Sequence, residues 1–272
     1  MKHNIYIHLQ LLTSALVLTF VLSSCSAIGL GGGDFNLITL EEEWQLGAQL
    51  EQEIANELTL VNDAATVAFI NDIGQRLVNQ TEMANLPWEF HVVADPSINA
   101  FNIPGGHVYV HTGLIQQVDD VSELAGVMAH EVAHGVERHA TERLTAAYGL
   151  QIGAGILLGQ DPGLVQQIVA SIAAQGAIAS FSRSDEREAD QLAVDYLYRS
   201  RYDPQGMVTL FNRLLDEGGR RPGSVERFFS THPMTEDRIR ETERQIAQLP
   251  PRSDLISYDP QLAAVQARVE RY

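Results

Sequence analysis

The sequence is poor in cysteine and lysine. Cys25 is the single cysteine, so no disulfide can form within the chain, and Lys2 is the single lysine, so the other basic residues are arginines. Acidic residues outnumber basic ones by 35 to 18, and the net charge is −17. A chain this acidic has no basic stripe to neutralise phosphates. This argues against nucleic acid as a partner and against attraction to an anionic membrane through charge.

The amino terminus lacks an apolar run long enough for a transmembrane helix. The run Leu9–Leu22 is shorter than the roughly 20 residues that a span needs, but it suits the core of a signal peptide. It ends in Leu22-Ser23-Ser24-Cys25, which resembles the bacterial lipobox. We therefore expect residues 1–24 to be a lipoprotein signal peptide and residues 25–37 to be a lipidated cysteine with a flexible tether. The alternative is an ordinary signal cleaved after Ala27.

The rest of the sequence predicts one mostly helical domain at 38–250 and a C-terminal tail at 251–272. Apolar residues that recur every three or four positions predict helices near 39–60, 64–79, from 120 onward, 185–198, 204–216 and 236–248. Short strands are expected at 89–94, 100–101 and 107–111. The apolar stretch 149–180 predicts buried core helices. Together these elements indicate an α+β fold in which a small sheet precedes the helix that begins near Asp120.

The helix that begins near Asp120 contains the motif His130-Glu131-Val132-Ala133-His134. Two histidines four positions apart lie on one face of a helix, where two neutral imidazoles can reach the same zinc ion. Glu131 stands beside them, where a carboxylate can deprotonate a zinc-bound water and pass the proton to a leaving amine. The apolar residues between the histidines indicate a buried face, and buried histidines need partners that a metal supplies. The motif predicts a zinc peptidase.

A catalytic zinc ion needs a third protein ligand and an open position. Glu137 and Ala140 stand where a metzincin would have glycine and histidine, so that class is excluded. The best remaining candidates are Glu186 and Asp190, which are one helical turn apart. Spacing alone leaves Glu188 open as a ligand. It also allows an ordinary solvated acidic helix whose carboxylates pair with neighbouring arginines.

Three motifs in this order resemble the metallopeptidase family of the HtpX heat-shock protease and the CAAX prenyl endopeptidases. They are HEVAH at 130–134, EREAD at 186–190 and STHP at 230–233 with Arg238. The segment 99–110 also matches the strand beside the cleft in that family. The resemblance covers about residues 40–248 and is nearest to lipoprotein or periplasmic members such as BepA and LoiP. It implies a mainly helical, minigluzincin-like metallopeptidase domain with a small sheet beside the HExxH helix.

The resemblance also implies the roles of individual residues at the metal. Glu186 joins His130 and His134 as the third zinc ligand, and Asp190 accepts the outer N–H of a ligand histidine and so fixes its tautomer. Three other histidines are expected to have structural roles: His107 and His111 in the sheet, and His139, together with Arg138, at the end of the helix.

Two further elements complete the predicted cleft. His232 is expected to occupy the open coordination position at rest or to contact the oxyanion, with simple packing of a polar loop as the alternative, and Arg238 braces that loop. The strand His107–His111 is expected to pair with an extended substrate. The predicted substrate wall also includes Asn99, Ala100, Gly105 and Gly106.

These observations predict a zinc endopeptidase of the bacterial envelope, with one zinc ion per chain and Glu131 as general base. Its substrates would be misfolded or unassembled envelope proteins. Lipid on Cys25 would hold it at the membrane, most simply the outer membrane facing the periplasm; a soluble periplasmic or secreted protein is the alternative. The rival function is an envelope chaperone or assembly factor that binds clients in a zinc-stabilised cleft. Glu131 favours catalysis, because a structural zinc site has no use for that carboxylate.

Overall fold

The computed structural model describes residues 36–149, 162–175, 178, 180–218 and 228–272. The predicted signal peptide, Cys25 and most of the predicted tether lie outside the described residues, as does 150–161 of the apolar stretch. The described elements are α1 (Leu40–Glu57), α2 (Ala64–Val78), β1 (Glu89–Val93), β2 (Ala100–Ile103), β3 (His107–His111), α3 (Thr112–Gln117), α4 (Val121–Val136), α5 (His139–Tyr148), α6 (Pro162–Gln175), α7 (Arg183–Ser200), α8 (Gln205–Gly218), α9 (Glu236–Ile246) and α10 (Gln261–Val269).

This arrangement of many helices around a small sheet confirms the predicted α+β class. The helices at 112–117, 139–148 and 261–269 are not in the prediction, since they are short or have weak apolar periodicity. Among the described residues, no helix combines the length and the apolar composition that a membrane crossing requires.

The sheet has three strands in the order β1-β3-β2. β1 runs parallel to β3, and β2 runs antiparallel to it. Since β3 is the central strand, both of its edges are already paired. The expectation that His107–His111 pairs with an extended substrate is therefore wrong; β2 is the strand that lies at the other side of β3, at the end of the strand order.

The sheet separates two apolar cores. Phe90, Val92, Val108 and Val110 face the first core, which contains the buried sides of α2, α4, α7 and α8. Phe101, Ile103 and Tyr109 face the second core, formed with α1 and α6. We name the two surfaces of the sheet the α4 face and the α1 face. Alternation of side chains along each strand assigns neighbouring residues to opposite faces.

Every residue of helix α4 is buried, including the polar residues Ser122, Glu123, His130, Glu131 and His134. Small residues allow neighbouring helices to approach closely: a Cβ added at Gly126 would lie 2.9 Å from Met207 in α8. The helix begins where the Asp120 carboxylate accepts hydrogen bonds from the backbone N–H groups of Ser122 and Glu123. The Glu123 carboxylate accepts from the backbone N–H of Asp119, rather than from Asp120 as in a capping box.

Gly105 and Gly106 form the turn between β2 and β3. Their φ angles are +82° and +75°, in a region of backbone conformation that residues other than glycine adopt only with strain. The turn packs against α1, since a Cβ added at Gly47 would lie 2.2 Å from the carbonyl oxygen of Pro104. Both glycines therefore have a conformational reason to be present, and they lie in the turn rather than along the outer edge of β2.

The residues predicted as a C-terminal tail, 251–272, belong to the packed domain. Leu262, Val265 and Val269 of α10 are buried in the first core. The segment before α10 also bonds to the domain, because the backbone N–H of Val121 donates to the carbonyl of Ser257. The domain therefore extends past the predicted boundary at residue 250.

A buried ion pair joins α1 to the end of α4. The Glu43 carboxylate is 2% exposed and lies 2.5 Å from Nε of Arg138, and it also accepts a hydrogen bond from Thr141. Burial raises the pKa of Glu43, while the hydrogen bonds and charge of Arg138 oppose that shift. Arg138 also donates to the carbonyl of Ile38. The pair fixes the carboxyl end of α4 against α1.

We expect Arg138→Met to lower the free energy of unfolding by about 3 kcal/mol, because it leaves the Glu43 carboxylate buried without its cation. Urea denaturation followed by circular dichroism measures this change. The matched control is Arg240→Met, whose pairs with Glu236 and Asp237 are exposed to solvent and should therefore contribute little to stability. Equal losses in the two variants would contradict the importance of the buried pair.

Candidate metal centre

The two histidines of the HEVAH motif meet at their ring nitrogens. His130 and His134 lie one turn apart on α4, both are buried, and their Nε2 atoms are 3.0 Å apart. Phe181 stacks on the His134 ring with centroids 3.9 Å apart, which fixes the plane of that ring. The predicted spacing on one helix face therefore produces two convergent donors in the structure.

Two residues from distant parts of the chain complete a four-donor cluster. Glu186 of α7 places Oε2 3.5 Å from Nε2 of His130 and Oε1 3.5 Å from Nε2 of His134. His232 places Nδ1 3.2 Å from Nε2 of His130 and 3.1 Å from Oε1 of Glu186. All four side chains are buried, and one donor atom from each lies within 4.8 Å of the others.

The separations between these donors suit a tetrahedral zinc ion. Ligands at zinc–donor distances of about 2.0–2.1 Å stand about 3.3–3.4 Å apart at the corners of a tetrahedron. The observed separations are 3.0 to 3.5 Å. Imidazole nitrogens and a carboxylate are also the donors that zinc accepts. The residues present therefore fit the ion.

Asp190 and Arg238 support the cluster from behind. The Asp190 carboxylate lies 3.0 Å from Nδ1 of His130 and accepts bonds of 2.6 and 2.7 Å from Arg238. Arg238 also lies 2.5 Å from Oε2 of Glu186. Burial alone would raise the pKa of both carboxyl groups, but the hydrogen bonds and positive charge of their neighbours outweigh it and hold both pKa values below the ordinary range. Both groups are therefore carboxylates at neutral pH.

His139 is a contact that the sequence interpretation missed. Its Nδ1 lies 2.8 Å from Nδ1 of His134, the ring nitrogen that faces away from the cluster. If α4 continued as a regular helix, His139 would lie away from the His134 ring. Instead, Arg138 adopts φ +63° and the chain turns into α5. Glu188 lies 3.6 Å from Nε2 of His139, so it stands outside the four-donor cluster. Of Glu186 and Glu188, it is Glu186 that lies beside the ring nitrogens of His130 and His134.

Glu131 lies beside the donors but does not join them. It is fully buried, and neither of its carboxylate oxygens has a partner in ordinary hydrogen-bond geometry among the described residues. Its polar neighbours are the backbone of Asn102 and Nε2 of His232, which is 3.2 Å from Oε1. Burial raises the pKa of Glu131, against the opposing charge of His232 and His130. A carboxylate with a raised pKa suits proton transfer near neutral pH.

The outer edge of β2 provides backbone groups near this site. The carbonyl of Asn99 accepts a hydrogen bond from the N–H of His111 at 3.0 Å, so these two residues are a hydrogen-bonded pair of the ladder. Because such pairs alternate along antiparallel strands, Ala100 and Asn102 direct their backbone groups away from β3. The predicted wall residues Asn99 and Ala100 therefore lie on the outer strand of the sheet.

Comparison with known proteins agrees with this geometry. Residues 64–246 match Peptidase family M48. The chain belongs to this family. The predicted resemblance and the prediction of a metallopeptidase are thereby confirmed.

Curated relatives of the chain are proteases. It is 30% identical over 225 residues to the beta-barrel assembly-enhancing protease of Escherichia coli, a match that covers 79% of this chain and 46% of the relative. It is 31% identical over 213 residues to the mitochondrial metalloendopeptidase OMA1 of Schizosaccharomyces pombe, covering 77% of this chain and 62% of the relative. The chain thus spans about half the length of the bacterial relative.

We expect Asp190→Asn to weaken zinc binding by about tenfold or more, because it removes the anion that orients His130 and pairs with Arg238. Competition with a chromogenic chelator measures the affinity. Asp195→Asn, on the exposed side of the same helix, is the matched control and should bind zinc like the wild type. Unchanged affinity in a folded Asp190→Asn protein would show that this carboxylate does not support the ligands.

Proposed function

We propose that the protein is a zinc endopeptidase in which His130, His134 and Glu186 hold the metal. The observation that carries this proposal is the convergence of four buried donors at tetrahedral separations. The buried carboxylate of Glu131 lies beside this group and is not one of its four members. When bound, zinc polarises a carbonyl and lowers the pKa of a coordinated water to about 7. All other steps fall to groups of the chain.

Glu131 acts as the general base. Its carboxylate accepts a proton from the attacking water and returns it to the nitrogen of the leaving amine, which restores the carboxylate for the next cycle. Asp190 keeps Nδ1 of His130 protonated, so that Nε2 remains a donor to the metal. Arg238 supports this arrangement by pairing with both carboxylates.

His232 closes the metal position at rest. Its Nδ1 lies among the donors, so the chain supplies four ligands, whereas a catalytic zinc site keeps one position open. The imidazole must therefore move before a substrate carbonyl can enter. This geometry supports the ligand role predicted for His232 over a contact to the oxyanion.

The substrate is an extended segment of an unfolded or unassembled envelope protein. An extended chain can pair with the outward-facing backbone of β2, which gives affinity with little sequence selectivity. The name of the bacterial relative, a beta-barrel assembly-enhancing protease, supports a client in the envelope. Anchoring through a lipidated Cys25 at the outer membrane, facing the periplasm, completes the proposal.

The second candidate function is an envelope chaperone or assembly factor. The closed set of four protein ligands favours it, since structural zinc sites are closed in this way. In such a protein the metal would stabilise the cleft, and clients would bind along β2 without being cut. The two functions are separated by comparing the peptidase activity of the wild type with that of a variant that lacks the Glu131 carboxylate.

We expect Glu131→Gln to lower cleavage of unfolded casein by about 10²–10⁴-fold while zinc content is unchanged, because the proton acceptor is lost and the ligands remain. Cleavage is followed by release of soluble fluorescent peptides, and a chelator should abolish it in the wild type. Glu137→Gln, at the carboxyl end of α4, is the matched control and should retain activity. Cleavage that persists in Glu131→Gln would refute the mechanism.

We expect His232→Ala to weaken zinc binding and to increase peptidase activity. If the open state is populated at about 10% or less, removing the imidazole raises activity by about tenfold. Ser230→Ala, in the same segment, serves as the control. Unchanged zinc affinity and activity in His232→Ala would exclude both a ligand role and an oxyanion contact.

A further inference from the structure

A second group of potential ligands lies on the α1 face of the sheet. It consists of Glu51 from α1, Glu89 and His91 from β1, and His107 from β3, and one donor atom from each lies within 4.8 Å of the others. The register places Glu89 opposite His107 and His91 opposite Tyr109 on the adjacent strand. Strand pairing thus brings together two histidines that are 16 residues apart in the sequence.

The distances in this group do not match ordinary hydrogen bonds. Nε2 of His91 lies 3.4 Å from Nδ1 of His107, longer than the roughly 2.7–3.2 Å range of protein hydrogen bonds. The same Nε2 atom is 3.9 Å from Oε2 of Glu89. Nε2 of His91 therefore faces two other potential metal-ligand atoms, from His107 and Glu89, without forming a good hydrogen bond to either. The 3.4 Å separation, however, is that of two ligands of one tetrahedral zinc ion, about 3.3–3.4 Å.

We propose that Glu51, Glu89, His91 and His107 form a second binding site for a divalent transition metal of the zinc class. Two neutral imidazoles and two carboxylates carry a charge of −2, which a divalent ion neutralises. Imidazole with carboxylate suits zinc, and the absence of a soft sulfur donor from the group disfavours copper(I).

The surroundings of the group support metal binding. The His107 residue is 6% exposed, whereas the Glu89 side chain is 54% exposed, so an ion can enter from the Glu89 side.

This site is separate from the HEVAH cluster. His91 stacks on Tyr109, which packs in turn on Phe101, and both aromatic rings belong to the core on the α1 face. The HEVAH helix packs on the opposite face. Because its ligands come from α1, β1 and β3, a bound ion would join the first helix of the described domain to the sheet and stabilise their packing.

The test compares zinc content after equilibrium dialysis at a series of buffered free-zinc concentrations. The probe is zinc itself, and elemental analysis gives the number of ions per chain. Glu51→Gln is the principal variant, because it removes one donor from the partly exposed side of α1 and leaves the sheet unchanged. Glu53→Gln, exposed on the same helix, is its matched control. His91→Gln removes a second donor independently, and circular dichroism confirms that each variant is folded.

We expect the wild type and Glu53→Gln each to bind two zinc ions per chain, one at the HEVAH cluster and one at the second site. In Glu51→Gln and His91→Gln the second ion should need about tenfold or more free zinc, with casein cleavage retained. Identical zinc isotherms in all four proteins would overturn the second site and leave the endopeptidase proposal intact. Conversely, a wild type that binds a single ion, which both variants lose, would support this site and refute zinc at the HEVAH cluster.

Discussion

The pairing of Arg238 with Glu186 and Asp190 is the interaction on which the metal centre depends. Two carboxylates in an apolar interior are costly to bury unless a cation accompanies them, and the guanidinium group bonds to both. Arg238 and His130 hold the pKa of Asp190 below its ordinary range, and His232, His130 and His134 do the same for Glu186, so both groups remain ionised despite burial. The same buried environment raises the pKa of Glu131, and the nearby His232 and His130 oppose this shift without reversing it. One environment thus gives neighbouring carboxyl groups different chemical roles.

The three-stranded sheet gives the domain two chemically distinct sides. On the α4 face, small residues let helices pack closely around the HEVAH helix, and the donor side chains are buried. On the α1 face, aromatic rings cross the strands and end at a group of histidines and carboxylates that opens to solvent. β3 contributes to both faces, because successive side chains along a strand point in opposite directions. Its position at the centre of the sheet means that both of its edges are paired with other strands.

Features that depend on local spacing could be predicted from the sequence. The HEVAH motif implies two ligands on one helix face, and the structure places their nitrogens 3.0 Å apart. Helix periodicity also predicted most of the long elements. By contrast, the position of His139 depends on the left-handed conformation of Arg138, and the central position of β3 depends on a parallel pairing with β1 that skips β2. Neither has a local signature, and a short helix such as α10 is recognisable only by the core that it covers.

The sequence by itself determined the chemistry: two histidines and a glutamate at helical spacing, an acidic helix with candidate carboxylates, and a histidine loop in the order of a known peptidase family. Such patterns are legible because a helix repeats every few residues and its side chains meet their near neighbours. Only the tertiary structure decided which distant groups converge. It brought Glu186 rather than Glu188 to the histidines of the HEVAH motif, placed His232 against Glu186, and set His91 beside His107 across two strands. Those contacts depend on packing between elements far apart in the chain, which no local periodicity encodes.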